Sequence, residues 1–170
     1  MGNISNLIIC SRYFLSQSEK IPFFQRQRLR KEAIPGFWST FQRYDNHVNL
    51  LDALQANDPS LAKVFPLGTS YEKREIKVIR IGANSNDDKP VFFIEAGIHA
   101  REWASPATVS YFAQELINRY NNKDPVVTEL LNKYDFYIVP VLNVDGYEYT
   151  HTKVCSLRVL LDLSYFIINL

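Results

Sequence analysis

Val91-Phe92-Phe93-Ile94-Glu95-Ala96-Gly97-Ile98-His99-Ala100-Arg101-Glu102-Trp103-Ala104-Ser105 is the stretch from which the rest of the chain is read. Val91 to Ala96 is apolar apart from Glu95, which is the pattern of a strand buried on both faces. Gly97 ends the run, and His99 and Glu102 follow three positions apart with Arg101 and Trp103 beside them. Imidazole and carboxylate are both good Zn²⁺ ligands, and a catalytic zinc ordinarily takes three protein ligands and a water. The spacing therefore reads as half of a metal-hydrolase site. A bare His-x-x-Glu also occurs as a solvated pair at the start of a surface helix.

Working away from this stretch, residues 75 to 81 (Glu75-Ile76-Lys77-Val78-Ile79-Arg80-Ile81) alternate as a half-exposed strand should. With the polar loop from Gly82 to Pro90, they suggest a hairpin with the Val91 strand at one edge of a mixed sheet. After the His99 loop, Ser105-Pro106 marks a helix start. Val109, Phe112, Ala113, Leu116, Ile117 and Tyr120 follow at spacings of three and four, an amphipathic helix with one face on the sheet. Asp124-Pro125 opens a further helix through Leu131, and Phe136 to Leu142 reads as a central strand.

Upstream, Val48, Leu51 and Leu54 form one helical stripe with Asp45 as its cap, which leaves His47 on a solvent-exposed face. Asp58-Pro59 is expected to open a short helix carrying Leu61, Val64 and Phe65. Apolar strands alternating with helices imply an α/β layered fold with a crossover connection. The His99 loop leaves the carboxyl end of its strand, where open α/β sheets place their ligands.

At 170 residues, with 46% hydrophobic and 14% aromatic residues, the chain has material for one sizeable core. A net charge of +1 gives no global drive toward nucleic acid or an anionic membrane. Cys10 and Cys155 are compatible with a disulfide or with two free thiols. No secretory signal peptide is visible, because the apolar run Leu7 to Cys10 is short and Arg12 interrupts it.

The run Gly97-Ile98-His99-Ala100-Arg101-Glu102-Trp103 closely resembles the zinc-binding signature of the zinc metallocarboxypeptidases of the carboxypeptidase A/B type. A second run, Val139-Pro140-Val141-Leu142-Asn143-Val144-Asp145-Gly146-Tyr147-Glu148-Tyr149-Thr150-His151-Thr152, is similar to that family's Asn-Pro-Asp-Gly-aromatic segment. The resemblance extends from about Phe37 to Lys153. It implies an α/β/α sandwich around a mixed sheet, here truncated, and removal of C-terminal residues from peptides or proteins. It implies Zn²⁺ as cofactor, with His99 and Glu102 as metal ligands and Arg101 in contact with peptide substrate. It also implies a monomer acting extracellularly.

Trp103 is assigned to packing, and Asn143, Asp145 and Gly146 to shaping a turn. The family's second zinc histidine, its general base and its substrate-capping tyrosine belong to segments beyond Lys153, so no catalytic residue is assigned here. Neither His47 nor His151 is a replacement. Two ligands hold zinc less well than three, and the chain by itself is expected to bind zinc weakly and to lack turnover. The alternative is a non-catalytic product that binds peptides or inhibitors, or has no function.

The organisation expected is therefore an appendage over residues 1–36, the first part of a carboxypeptidase catalytic domain over 37–153, and a divergent apolar tail over 154–170. The basic cluster Arg26 to Lys31 reads as an activation site, a solvated linker or part of a transit peptide. The apolar tail, with Arg158 and Asp162 inside it, is a poor membrane span.

Overall fold

The computed structural model describes residues 34, 36–84 and 89–153. The expectations for residues 1–33 and 154–170, including both cysteines, the basic cluster and the tail, lie outside the described residues. A short 3-10 turn (Phe37–Ser39) leads into α1 (Tyr44–Asn57), β1 (Ala62–Thr69), β2 (Glu75–Ile81) and β3 (Val91–Glu95). Then come α2 (Ala104–Asn121), α3 (Pro125–Lys133), β4 (Asp135–Val139) and α4 (Val144–Thr152).

The four strands form one mixed sheet in the order β1-β2-β4-β3. β1 and β2 are an antiparallel hairpin, β2 and β4 pair antiparallel, and β3 and β4 pair parallel. α2 and α3 make the crossover that two parallel neighbours require. Alternate strand residues Ile79, Ile81, Phe136 and Ile138 meet Leu50, Leu51 and Leu54 of α1, Leu116 and Ile117 of α2, and Leu131 of α3 in one core. The expected α/β architecture around a mixed sheet is thus present.

Three local expectations give way to tertiary pairing. Asp58-Pro59 opens a turn and not a helix: Asp58 Oδ1 accepts from Leu61 N at 3.2 Å, and the chain then runs into β1. Asp-Pro serves either purpose, and the ladder to β2 decides the matter. Pro66 is tolerated because β1 is an edge strand. Next, β2 and β3 are not a hairpin, since β4 lies between them. Finally, β3 is not buried on both faces. It is the other edge strand, with Phe92 and Ile94 packed on the core while Val91 and Phe93 stay 55% and 47% exposed. A continuous apolar run does not say which of its faces a neighbour will cover.

The cap of α1 also differs. Arg43, not Asp45, occupies the cap position and contributes no side-chain cap. Its role passes to α4: Glu148 Oε1 accepts from Tyr44 N at 2.8 Å, and the same carboxylate pairs with the Arg43 guanidinium. An orphan helix N–H is satisfied there by a residue 104 positions away. At α3 the expectation is met, with Asp124 accepting from Val126 N and Val127 N and proline at the first turn.

His47 is 1% exposed, which overturns its reading as a surface residue. The buried stripe of α1 is Tyr44, His47, Leu50, Leu51 and Leu54, so His47 and not Val48 belongs to it. The imidazole Nδ1 lies 2.8 Å from Ser110 Oγ, and Nε2 lies 3.4 Å from the Tyr147 hydroxyl. Burial, with His151 nearby, lowers its pKa to about 4, so the ring is neutral at pH 7.

Candidate metal centre

Beyond Glu95 the chain turns at Gly97, whose φ of +66° is a left-handed conformation that favours glycine. Space demands it as well: a Cβ there would stand 3.2 Å from Val141 Cα and from Pro106 Cγ. The loop is then bonded to the segment leaving the neighbouring strand. Ala96 N donates to Val139 O at 3.0 Å, Leu142 N to Ala96 O at 2.8 Å, and Asn143 N to Gly97 O at 3.2 Å. Two side chains continue the series. Asn143 Nδ2 donates to Ile98 O at 3.3 Å, and Thr150 Oγ1, whose single proton is shared with Tyr147 O at 2.7 Å, lies 3.3 Å from Ala100 O.

The turn closes on itself through Glu102 N to His99 O at 3.0 Å. It is joined to α2 by Ser105, whose Oγ donates to Glu102 O at 2.9 Å and accepts from Gly97 N at 3.3 Å. Trp103 has the packing role expected of it. Its indole stacks on His151 with centroids 4.0 Å apart, and Nε1 donates to Thr150 Oγ1 at 2.9 Å.

This scaffold sets His99 and Glu102 side by side and outward. Nδ1 and Oε1 are 3.1 Å apart, and the two side chains are 64% and 62% exposed. Two ligand atoms each about 2.1 Å from a tetrahedral zinc stand about 3.4 Å from one another. The observed pair fits that separation, and it combines one nitrogen with one carboxylate oxygen. Arg101 is exposed on the same turn.

Among the described residues no group of three or more His, Cys, Asp or Glu side chains could hold a metal ion. The other two histidines are occupied elsewhere. His47 is the buried residue described above. His151 is sandwiched against Trp103 and Tyr147, and burial, with Arg43 adding to it, lowers its pKa despite the opposing Glu148.

The second run behaves partly as expected. Asn143 caps α4, its Oδ1 accepting from Gly146 N at 3.0 Å. A Cβ on Gly146 would come within 2.7 Å of the Asn143 amide. Asp145 instead reaches across to the β1–β2 turn, accepting from Glu72 N at 2.9 Å and from Ser70 Oγ at 2.8 Å. Sequence reasoning gave Asn143 and Thr150 no part in holding the His99 loop. Nothing in their spacing carries it, because both bonds span 45 positions or more.

Comparison with known proteins gives one consistent picture. Residues 47–159 match the zinc carboxypeptidase family. The chain is 40% identical over 115 residues to a carboxypeptidase B of Astacus astacus, covering 68% of this chain and 36% of that protein. It is also 40% identical over 117 residues to an inactive metallocarboxypeptidase of Saccharomyces cerevisiae, covering 67% of this chain and 27% of the yeast protein. Among solved structures, thrombin activatable fibrinolysis inhibitor superposes with a TM-score of 0.65 at 31% identity, over 77% of this chain and 34% of that one. The chain thus spans little more than a third, or less, of the length of these relatives.

Proposed function

We propose, because this chain belongs to the zinc carboxypeptidase family, that its His99–Glu102 pair supplies two protein ligands of a Zn²⁺ centre for hydrolysing the terminal peptide bond of a peptide or protein. The observation that carries this reading is the 3.1 Å separation of an exposed imidazole nitrogen and carboxylate oxygen on a rigidly bonded loop at the carboxyl end of β3. His99 and Glu102 contribute their lone pairs, and Arg101 on the same turn takes hold of the peptide chain. The chemistry the ion supplies when bound is polarisation of the scissile carbonyl and acidification of a water. The described residues offer no third ligand beside the pair. We accordingly read the chain alone as a weak zinc binder without turnover, acting as a monomer, and take an extracellular setting from the family only. Among the described residues no helix is long and apolar enough to cross a membrane.

Zinc titration of the purified chain tests this, followed by the His99 imidazole resonances and by calorimetry, beside an assay for released C-terminal residues. Weak binding that perturbs His99 and is lost in both His99→Ala and Glu102→Gln is expected, with no residue released. Zinc that leaves His99 unperturbed would sink the site assignment. A tight complex that cleaves peptides would overturn the inactivity. The second reading is a non-catalytic peptide- or inhibitor-binding product; that the family includes an inactive member, the yeast relative, is consistent with it. Peptide binding that persists in His99→Ala, with no zinc dependence, would favour it.

A further inference from the structure

Three successive carbonyls of the loop before His99, those of Ala96, Gly97 and Ile98, are addressed from one neighbouring segment, and Ala100 O after it from α4. Val139 to Asn143 engages Ala96 and the carbonyl of Gly97 through main chain, and Ile98 O through the Asn143 side chain. Thr150 then takes Ala100 O. Ile98 O belongs to the peptide unit that leads into His99, so the Asn143 amide grips the backbone immediately before the imidazole. The other end of the same amide is committed too, with Oδ1 capping α4 through Gly146 N. One planar group thus ties the start of α4 to the peptide preceding His99. Asparagine alone among the small side chains carries an acceptor for the cap and a donor for the loop on a single rigid plane.

We propose that Asn143 is a positioning residue for the His99–Glu102 pair: its Nδ2–H holds the Ile98 carbonyl and thereby fixes the backbone on which the imidazole is presented. What the held loop is for rests on the zinc reading above, but the holding itself is a property of the metal-free chain. The two functions of the amide separate chemically. Asn143→Asp keeps an oxygen to accept from Gly146 N, and its charge sits favourably at the start of α4. It removes the donor to Ile98 O. Asn143→Ala removes both.

Amide hydrogen exchange in the full chain, read by NMR, reports the two ends independently. Glu102 N, bonded to His99 O, reports the loop, and Gly146 N reports the cap. Asn143→Asp should speed exchange at Glu102 about fivefold, the effect of losing one ordinary hydrogen bond, and leave Gly146 unchanged. Asn143→Ala should speed both. Wild-type exchange at Glu102 in Asn143→Asp would overturn the proposal. So would an equal rise at Glu102, at Gly146 and at sheet amides such as Ile79, which would make Asn143 a residue of the fold in general. Zinc titration of the wild type runs beside this and decides only the metal reading. A chain whose His99 ignores zinc, yet whose Glu102 exchange depends on Asn143 as described, would retain the positioning role and lose the metal.

Discussion

The parallel pair β3–β4 has charged groups at both ends, and the two ends treat them in opposite ways. At the amino end Asp135, opposite Val91, is 5% exposed. Its Oδ2 takes the Arg80 guanidinium at 2.7 Å and its Oδ1 takes Lys89 Nζ at 3.1 Å, while Lys89 also donates to Leu131 O at 2.7 Å. Gly82 makes room, since a Cβ there would lie 1.9 Å from Asp135 Oδ1. At the carboxyl end, His99 and Glu102 face solvent and touch each other. Both clusters are built of ordinary ionisable side chains. Burial with full pairing makes the first a piece of architecture, because any partner lost leaves a charge stranded. Exposure leaves the second open to solvent, its two side chains paired, among the described residues, only with each other.

This contrast can be broken most readily at Asp135. Asp135→Ala strands Arg80 and Lys89 and should cost about 3–5 kcal/mol of unfolding free energy in denaturant titrations. A loss under about 1 kcal/mol would mean that the amino end is not architectural. Next in size is a pH effect at another buried ionisable group, His47. Its ordinary pKa of 6.5 is lowered to about 4 in the folded chain. The unfolded chain therefore takes up a proton as pH drops below 6.5, while the folded chain does not until near 4. Stability from this residue is complete above pH 6.5 and should fall by about 3 kcal/mol on reaching pH 4. His47→Gln should flatten that part of the pH–stability curve, leaving the contributions of His151 and, toward pH 4, of Glu148, Asp124 and Asp145, all shifted in the same direction.

Gly82→Ala sharpens the amino end further, because Asp135 is pinned by two cations and cannot swing aside freely. A loss of about 1–3 kcal/mol is expected, measured the same way. The smallest effect belongs to the carboxyl end. His99→Ala and Glu102→Gln should each change unfolding free energy by no more than about 0.5 kcal/mol. If either destabilises the chain as much as Asp135→Ala does, the two ends do not differ in kind.

Much of the fold was legible because it depends on short-range chemistry. The alternation of Glu75 to Ile81, the three-and-four spacing of α2 and the Asp124-Pro125 start of α3 each describe interactions within a turn or a strand, and each appears where expected. Val64 and Phe65 misled for the opposite reason: as isolated apolar positions they suit either a helix or a strand, and the ladder to β2 chose. His47 misled by one position. The stripe 47, 50, 51, 54 was available at the same spacing, but a polar histidine argued against burying it. Only Ser110 and Tyr147, arriving from other helices, make that burial affordable.

Local residue chemistry alone dictates that this chain makes strands and amphipathic helices of this kind, and that an imidazole and a carboxylate stand three positions apart just past a strand. The three-dimensional arrangement alone decides that β4 separates β2 from β3, that His47 lies inside, that Asp135 is sealed with its cations, and that Asn143 and Thr150 grip the His99 loop. Periodicity and capping act over a few residues and leave their mark in a short window of sequence. Pairing partners here sit some 45 to 105 positions apart, and no local pattern records which of them will meet.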